Sequence, residues 1–324
     1  MQARFMAIAF GLLALAAASP ALADDYPNKP IRVISDSAPG SAVDVTFRTV
    51  MDRLGKQLGQ QIVAVAQPGA SGAIAAHAAS DALPDGYTLF APAISLFISL
   101  PGKAPNLPLI LPRDFLPVAS LLDQPMFICA STKSGIKTLP DLIARAKQKP
   151  GQISFAATGI GRITHLTGLL LQSRAGIKLQ VVPYTGGPAA ALVDVIDGRV
   201  PLIIEGYSGL AGAIQAHTLT VLAVASRRRL PDFPGLPTVA ETLPGFVAGG
   251  WQGIVAPLGT PAPAIEKVNA ALKKVLAEPD LAKQMALRGA YVDAMTPSEV
   301  NDYVNAQQAQ WKPVLEAFEA SVNK

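Results

Sequence analysis

Ile31-Arg32-Val33-Ile34-Ser35-Asp36-Ser37-Ala38-Pro39-Gly40-Ser41-Ala42-Val43-Asp44 is the stretch that decides the fold. β-favouring residues give way to a polar loop carrying Pro and Gly, and a helical period follows at once. Apolar residues recur at Val43, Phe47, Val50, Met51, Leu54 and Leu58, which is one face of an amphipathic helix. A strand feeding a helix through a short loop is the repeating unit of a parallel α/β sheet. Working outward, the unit recurs. Ile62 to Val65 reads as a strand and Ala73 to Asp81 as a helix. Tyr87 to Ala91 reads as a strand entered through the turn Pro84-Asp85-Gly86.

A Pro-rich stretch from Pro101 to Pro117 interrupts the alternation, and a second α/β run begins with the buried strand Met126 to Ala130. Thr138-Leu139-Pro140-Asp141 caps a helix. Ile153 to Ala156, Leu179 to Val182, Pro201 to Ile204 and Leu219 to Ala225 read as strands. Thr164 to Ala175 and Ala189 to Ile196 read as helices. After a Pro/Gly-rich stretch from Pro231 to Pro244 comes one strand, Gly253 to Ala256, and then three helical segments. The last opens at Thr296-Pro297-Ser298-Glu299, with Pro in the first turn and Glu closing the cap. This tail cannot build a sheet alone, so it is expected to return to the first run. The expected architecture is α/β, with a discontinuous lobe I (24–122 and 248–324) and an inserted lobe II (123–247). Crossings near Pro117–Cys129 and Phe246–Ala256 would act as the hinge.

Composition narrows the class. The chain has 324 residues, half of them apolar and 15% charged, enough for two hydrophobic cores. Arg4, the uncharged run Phe5 to Ala17 and Ala21-Leu22-Ala23 form an expected signal peptide (1–23) cleaved near Ala23. Its apolar run of about 13 residues is shorter than the roughly 20 a membrane helix needs. The net charge of +4 is dispersed, and Arg227-Arg228-Arg229 lacks aromatic neighbours to stack on bases, so the triplet reads as a solvated turn and nucleic acid is not an expected partner. Cys129 is the single cysteine and lies in an apolar strand, which makes it a structural thiol.

Three glycine-bearing loops follow strands and open helices, where α/β sheets bind ligands. The first holds Ser37, Gly40, Ser41 and Asp44, with Ser41 and Asp44 spaced as a capping box. The second holds Thr158, Gly159, Gly161 and Arg162. The third holds Tyr184, Thr185 and Gly186. Free N–H groups and a helix dipole suit such loops to a carboxylate, though each could equally be an ordinary connection. Arg162 opposes the dipole of its own helix. It reads either as a bidentate carboxylate clamp or as a surface arginine. Glu205 ends a strand and reads as a ligand contact, a cap or a contact between lobes. No G-x-S-x-G elbow occurs. His77, His165 and His217 lack metal-ligand spacing, with His165 a satisfied core residue. Gly159-Ile160-Gly161 is half a dinucleotide fingerprint with Thr164 in place of its third glycine. No enzyme, cofactor or metal is expected.

The chain resembles the tripartite tricarboxylate transporter receptor family, the Bordetella-uptake-gene type of periplasmic receptors. The resemblance runs through Tyr26-Pro27-Asn28-Lys29-Pro30-Ile31-Arg32, Pro39-Gly40 with Asp44, Gln67-Pro68-Gly69-Ala70 and Pro84-Asp85-Gly86-Tyr87-Thr88-Leu89. It continues through Arg113-Asp114-Phe115, Val182-Pro183-Tyr184 with Gly186-Gly187, Leu236-Pro237-Thr238-Val239-Ala240-Glu241 and Ala256-Pro257-Leu258-Gly259-Thr260-Pro261. It implies a type II periplasmic-binding-protein clamshell, monomeric and periplasmic. Such a receptor would take a di- or tricarboxylate or an aromatic acid and deliver it to a permease of one large and one small membrane subunit. A sensory protein presenting its ligand to a membrane kinase would use the same clamshell. This chain departs from the family pattern at Ser37, where an aromatic is usual, and at Ser41 and Ala42, where glycines are usual. It departs again at Arg162, Ile163 and Thr164, and at Glu205, which replaces Asp. An added guanidinium and less aromatic bulk suggest a ligand with an extra carboxylate or a rigid aromatic diacid.

Overall fold

The computed structural model describes residues 25–37, 39, 42–98, 109–184 and 187–322. The expected signal peptide therefore lies outside the described residues. The opening strand–helix unit forms as β1 (Ile31–Ser35) and α1 (Ala42–Leu58). Phe47, Val50, Met51 and Leu54 are all buried, so the helical period marks the face that packs on the sheet. In chain order there follow β2 (Ile62–Ala66), α2 (Ala73–Ser80), β3 (Thr88–Ala91), β4 (Leu116–Ser131) and α3 (Leu139–Gln148). Next come β5 (Ser154–Ala157), α4 (Ile163–Ala175), β6 (Gln180–Pro183), α5 (Gly187–Ile196), β7 (Leu202–Gly206), α6 (Tyr207–Gln215) and β8 (Leu219–Val224). The last are β9 (Gly249–Ala256), α7 (Ala262–Leu276), α8 (Pro279–Ala286), β10 (Tyr291–Val292) and α9 (Pro297–Val322).

β1 pairs in parallel with β2 and β3, and β5 pairs in parallel with β6 and β7. The long strand β4 connects the two groups. Its first part, Leu116 to Pro125, runs antiparallel to β9, and its second part, Met126 to Ala130, runs antiparallel to β7. β9 also touches β3 at Phe90↔Val255, and β10 pairs with β4 through Tyr291↔Asp123. The chain after residue 248 thus returns to the strands around β1. One core gathers Ile31, Val33, Phe47 and Leu89 with Val268, Leu272 and Val275 of α7. A second gathers Phe127, Cys129, Ile203, Leu210 and Val224. Cys129 is fully buried, and burial pushes its thiol pKa far up, which suits a packing residue.

Several elements differ from the sequence reading. β4 starts ten residues before the expected strand at Met126 and contains Pro117 and Pro125. Pro117 sits beside a register shift against β9, a place where a missing N–H is tolerated. β9 begins at Gly249, four residues before the expected strand at Gly253, and glycine suits that position because a Cβ there would stand 2.6 Å from Oδ1 of Asp123. Helix α6 was not expected, since Gly209 and Gly212 dilute the period carried by Leu210 and Ala213. The arginine triplet is not simply solvated. Arg227 pairs with Asp293 at 3.3 Å and lies over the Tyr303 ring, and Arg229 grips Glu241 with two nitrogens. α9 opens as expected, with Thr296 N donating to Glu299 Oε2 at 2.7 Å and Glu299 N donating to Thr296 Oγ1 at 3.3 Å.

Candidate functional site

The carboxyl ends of β1, β5 and β7 carry the groups of interest. β1 runs into Asp36, whose Oδ1 accepts from the Ala93 N–H at 3.2 Å, just beyond the end of β3. Next to Asp36 the chain bends, and the Ser37 N–H donates to Ser35 Oγ at 3.2 Å. Gly72 stands opposite, with φ +94° and a Cβ position only 3.0 Å from Asp36 Oδ2. A side chain there would be strained and would press on the carboxylate. Burial raises the Asp36 pKa to about 6, against the lowering effect of the Ala93 N–H, its own N–H and the Arg162 guanidinium.

β5 ends at the loop Thr158 to Arg162. Thr158 Oγ1 donates to Glu205 Oε2 at 2.7 Å, and Glu205 Oε1 accepts from the Gly206 N–H at 2.8 Å. Burial raises the Glu205 pKa, opposed by those two donors and by Arg162. Arg162 is the N-cap of α4 and is exposed, with its stem folded over Gly159. Gly159 has φ +121°, and a Cβ there would meet Arg162 Cδ at 2.8 Å. The guanidinium lowers the pKa of both Asp36 and Glu205, so one cation from the end of β5 is felt by acids on β1 and β7.

The loop's backbone is less open to a ligand than the sequence implies. The Thr158 N–H donates to Thr164 Oγ1 at 3.1 Å, and the Gly161 N–H donates to Nδ1 of the buried His165 at 3.1 Å. Thr164 and His165 thereby set the loop, a positioning role that sequence reasoning missed. Asp36 was missed as well, since an acid after a strand reads as an ordinary loop residue. Asp44 is buried in the first turn of α1, and both its oxygens accept from Arg48 Nε at 3.0 Å. Tyr184 directs its hydroxyl to Asp194 Oδ2 at 2.6 Å, on α5. The structure thus joins Thr158 with Glu205 and Gly159 with Arg162, whose charge acts on Asp36 and Glu205, and commits Asp44, Tyr184 and the Gly161 N–H to internal partners. Gly40, Ser41, Thr185 and Gly186 lie outside the described residues.

A surface hollow between α1 and α8, lined by Arg48, Asp52, Arg53, Glu278 and Asp280, shares no residue with these loops. Arg53 bridges Glu278 and Asp280 there, so its charges are already matched. Among the described residues no cluster of His, Cys, Asp or Glu could hold a metal ion. No helix among them is long and apolar enough to cross a membrane.

Comparison with known proteins places this geometry. The family model described as the tripartite tricarboxylate transporter family receptor matches residues 46–319. A UPF0065 protein of Bordetella bronchiseptica is 34% identical over 287 residues, covering 89% of this chain and 84% of the relative. Among solved structures, a Rhodopseudomonas palustris protein, Rpa4515 with adipate, superposes with a TM-score of 0.76 at 26% identity, covering 90% of this chain and 98% of that one. MatC from Rhodopseudomonas palustris with bound malate gives a TM-score of 0.72 at 28% identity, covering 90% of this chain and all of its own.

Proposed function

Since this chain belongs to the tripartite tricarboxylate transporter receptor family, whose members are periplasmic solute-binding receptors and not enzymes, we propose that it captures a small carboxylate between its two groups of strands. The ligand class is a di- or tricarboxylate or an aromatic acid, delivered to a permease with one large and one small membrane subunit. Support for the ligand class comes from the solved relatives, which are described with adipate and with malate. The observation that carries the site is Arg162, whose field reaches Asp36 at the end of β1 and Glu205 at the end of β7. Among the described residues its guanidinium has no ion-pair partner at bonding distance, which leaves it for a ligand carboxylate. Thr158, Gly159 and Ser37 would frame that carboxylate. Gly40, Ser41, Thr185 and Gly186, which lie outside the described residues, stay candidates from the sequence for the same carboxylate.

The chain path suits a clamshell with lobe I at 24–122 and 248–324 and lobe II at 123–247. β4 and β9 cross between the groups around β1 and β5, and rigid halves around a short hinge are the usual means of enclosing a solute. The test is a thermal-shift and calorimetric screen over mono-, di- and tricarboxylates, aromatic ones included. A bound ligand raises the melting temperature by mass action, worth about 2.7 kcal/mol at a hundredfold excess over Kd. Arg162→Ala should weaken the best ligand by about tenfold or more, as loss of a charge-assisted pair does. At neutral pH it should also lower the melting temperature of the empty protein slightly, since the guanidinium favours the ionised forms of Asp36 and Glu205. A screen in which no carboxylate binds would refute the function. Uptake that survives deletion of the membrane subunits would refute the permease assignment.

A further inference from the structure

We infer that Arg227 is a latch between the two lobes: its guanidinium, carried by lobe II, is held by Asp293 and the Tyr303 ring of lobe I and sets the angle at which the empty protein rests. This rests on the clamshell reading above and adds a restraint on its hinge. Arg227 Nη2 stands 3.3 Å from Asp293 Oδ2, and Cζ of the same guanidinium lies 4.9 Å from the centre of the Tyr303 ring. A guanidinium is planar, always charged and weakly hydrated, so it serves an acid and an aromatic face at once. Of the ion pairs among the described residues, this one alone runs between 123–247 and the rest of the chain.

Both sides of the contact are braced. On lobe II, Arg229 fastens the turn that carries Arg227: its Nε and Nη2 donate to Glu241 at 2.9 and 2.7 Å, and its Nη1 donates to the Pro234 carbonyl at 3.1 Å. Ser226 Oγ closes the turn on the Arg228 carbonyl at 2.5 Å. On lobe I, the Asp293 N–H donates to the Leu121 carbonyl at 3.3 Å, which ties the acid to the first part of β4. Tyr303 of α9 packs on Trp251 with centroids 5.6 Å apart, and Trp251 is buried and bonded to Ser120. The position of the turn matters as much as its partners. The Ala225 N–H donates to the Met126 carbonyl at 2.8 Å and the Ala248 N–H to the Ala225 carbonyl at 2.9 Å, so the turn starts where β4 and the chain entering β9 cross between the lobes. A cation fixed to one lobe and held by groups fixed to the other registers any rotation about that crossing. Gln310 of α9 adds one neutral bond over the same boundary, to the Val247 carbonyl at 2.7 Å. The side chains of Arg227 and Asp293 stay 45% and 28% exposed, so the pair biases the angle without locking it, and a bound solute has the energy to release it.

Spin labels on Lys56→Cys in lobe I and Lys147→Cys in lobe II, both exposed positions, report the lobe angle as a distance by double electron–electron resonance, and the buried Cys129 takes no label. In the empty protein, Arg227→Gln and Asp293→Asn should each reduce the share of the resting distance relative to other distances by about threefold or more. The double variant should do no more than Arg227→Gln alone, because the same contact is already gone. Salt at about 1 M should shift the labelled protein with Arg227 and Asp293 intact in the same direction, which decides the case if a variant does not fold. A distance distribution that neither substitution nor salt alters overturns the latch. Malate and adipate, added to the protein with the pair intact, probe the hinge itself. If they change the distance while the substitutions and salt do not, the latch is removed and the clamshell stands. A distance that nothing changes removes both.

Discussion

Replacing Asp36 by Asn should stabilise the empty protein, and more at neutral pH than at pH 4.5. The folded environment raises the Asp36 pKa from 3.8 to about 6. The native state therefore holds its proton over a window where the unfolded chain has released it, and stability from this group falls as pH rises between the two values. Above about pH 6 the whole cost of ionising a buried acid is present. At 1.36 kcal/mol per pKa unit it amounts to roughly 3 kcal/mol at pH 7.5 and about 1 kcal/mol at pH 4.5. Asp36 is only partly buried, and water at its exposed edge trims the difference between the two conditions to about 1–2 kcal/mol. Asn keeps the Oδ1 acceptor for the Ala93 N–H and has no charge to desolvate. Urea unfolding of both proteins at about pH 7.5 and pH 4.5 measures the effect. Asp123 also has its pKa raised to about 6, by burial and then by Asp293, so it titrates in the same window. It does so in both proteins and cancels when they are compared at each pH. If Asp36→Asn were no more stable at neutral pH, or equally more stable at both, the buried-acid reasoning would be wrong.

Two further substitutions probe the frame around the site. Gly253→Ala would place a Cβ 2.1 Å from Cη2 of Trp251, a fully buried ring anchored by Nε1 to Ser120 Oγ at 2.9 Å. With no room to move, overpacking should cost about 1–3 kcal/mol or more, seen as a lower urea midpoint, and an unchanged midpoint would contradict the packing described for β9. Thr296→Ala removes the Oγ1 acceptor of the Glu299 N–H and should cost about 1 kcal/mol in the same assay, whereas Thr296→Ser should recover most of it.

The strand–helix alternation was legible because each helix shows one apolar stripe and each buried strand a short apolar run. What escaped reading has identifiable causes. Pro117 and Pro125 hide the length of β4, because the tolerance of β4 for proline depends on its pairing with β9, which is not a local property. Gly209 and Gly212 lower the helix propensity of α6, which tertiary packing of Leu210 overrides. At the site, the helix-dipole argument singled out Arg162, which stands at the N-cap position of α4 and makes no side-chain capping bond. No comparable local signal marked Asp36. Its significance comes from Gly72, Ala93 and Arg162, each from a different part of the chain. The same holds for Arg227 and Arg229, whose partners Asp293 and Glu241 are separated from them in sequence.

The loop that offers Arg162 is held in place by the core. Nδ1 of His165 takes the Gly161 N–H, and the His165 ring packs edge-on to Phe318 of α9 with centroids 5.1 Å apart. α9 also carries Gln308, whose Nε2 donates to the carbonyls of Phe97 and Leu109, and the buried Trp311. One helix thus contacts the chain following β3 and the first turn of α4, on the other side of the β4 crossing. Backbone amides that look free in the sequence are the groups used to fix this loop, and that use leaves the guanidinium of Arg162 as its strongest exposed donor. The fixed backbone thus carries one long cation, whose charge acts on the partly buried Asp36 and Glu205 at the ends of two other strands.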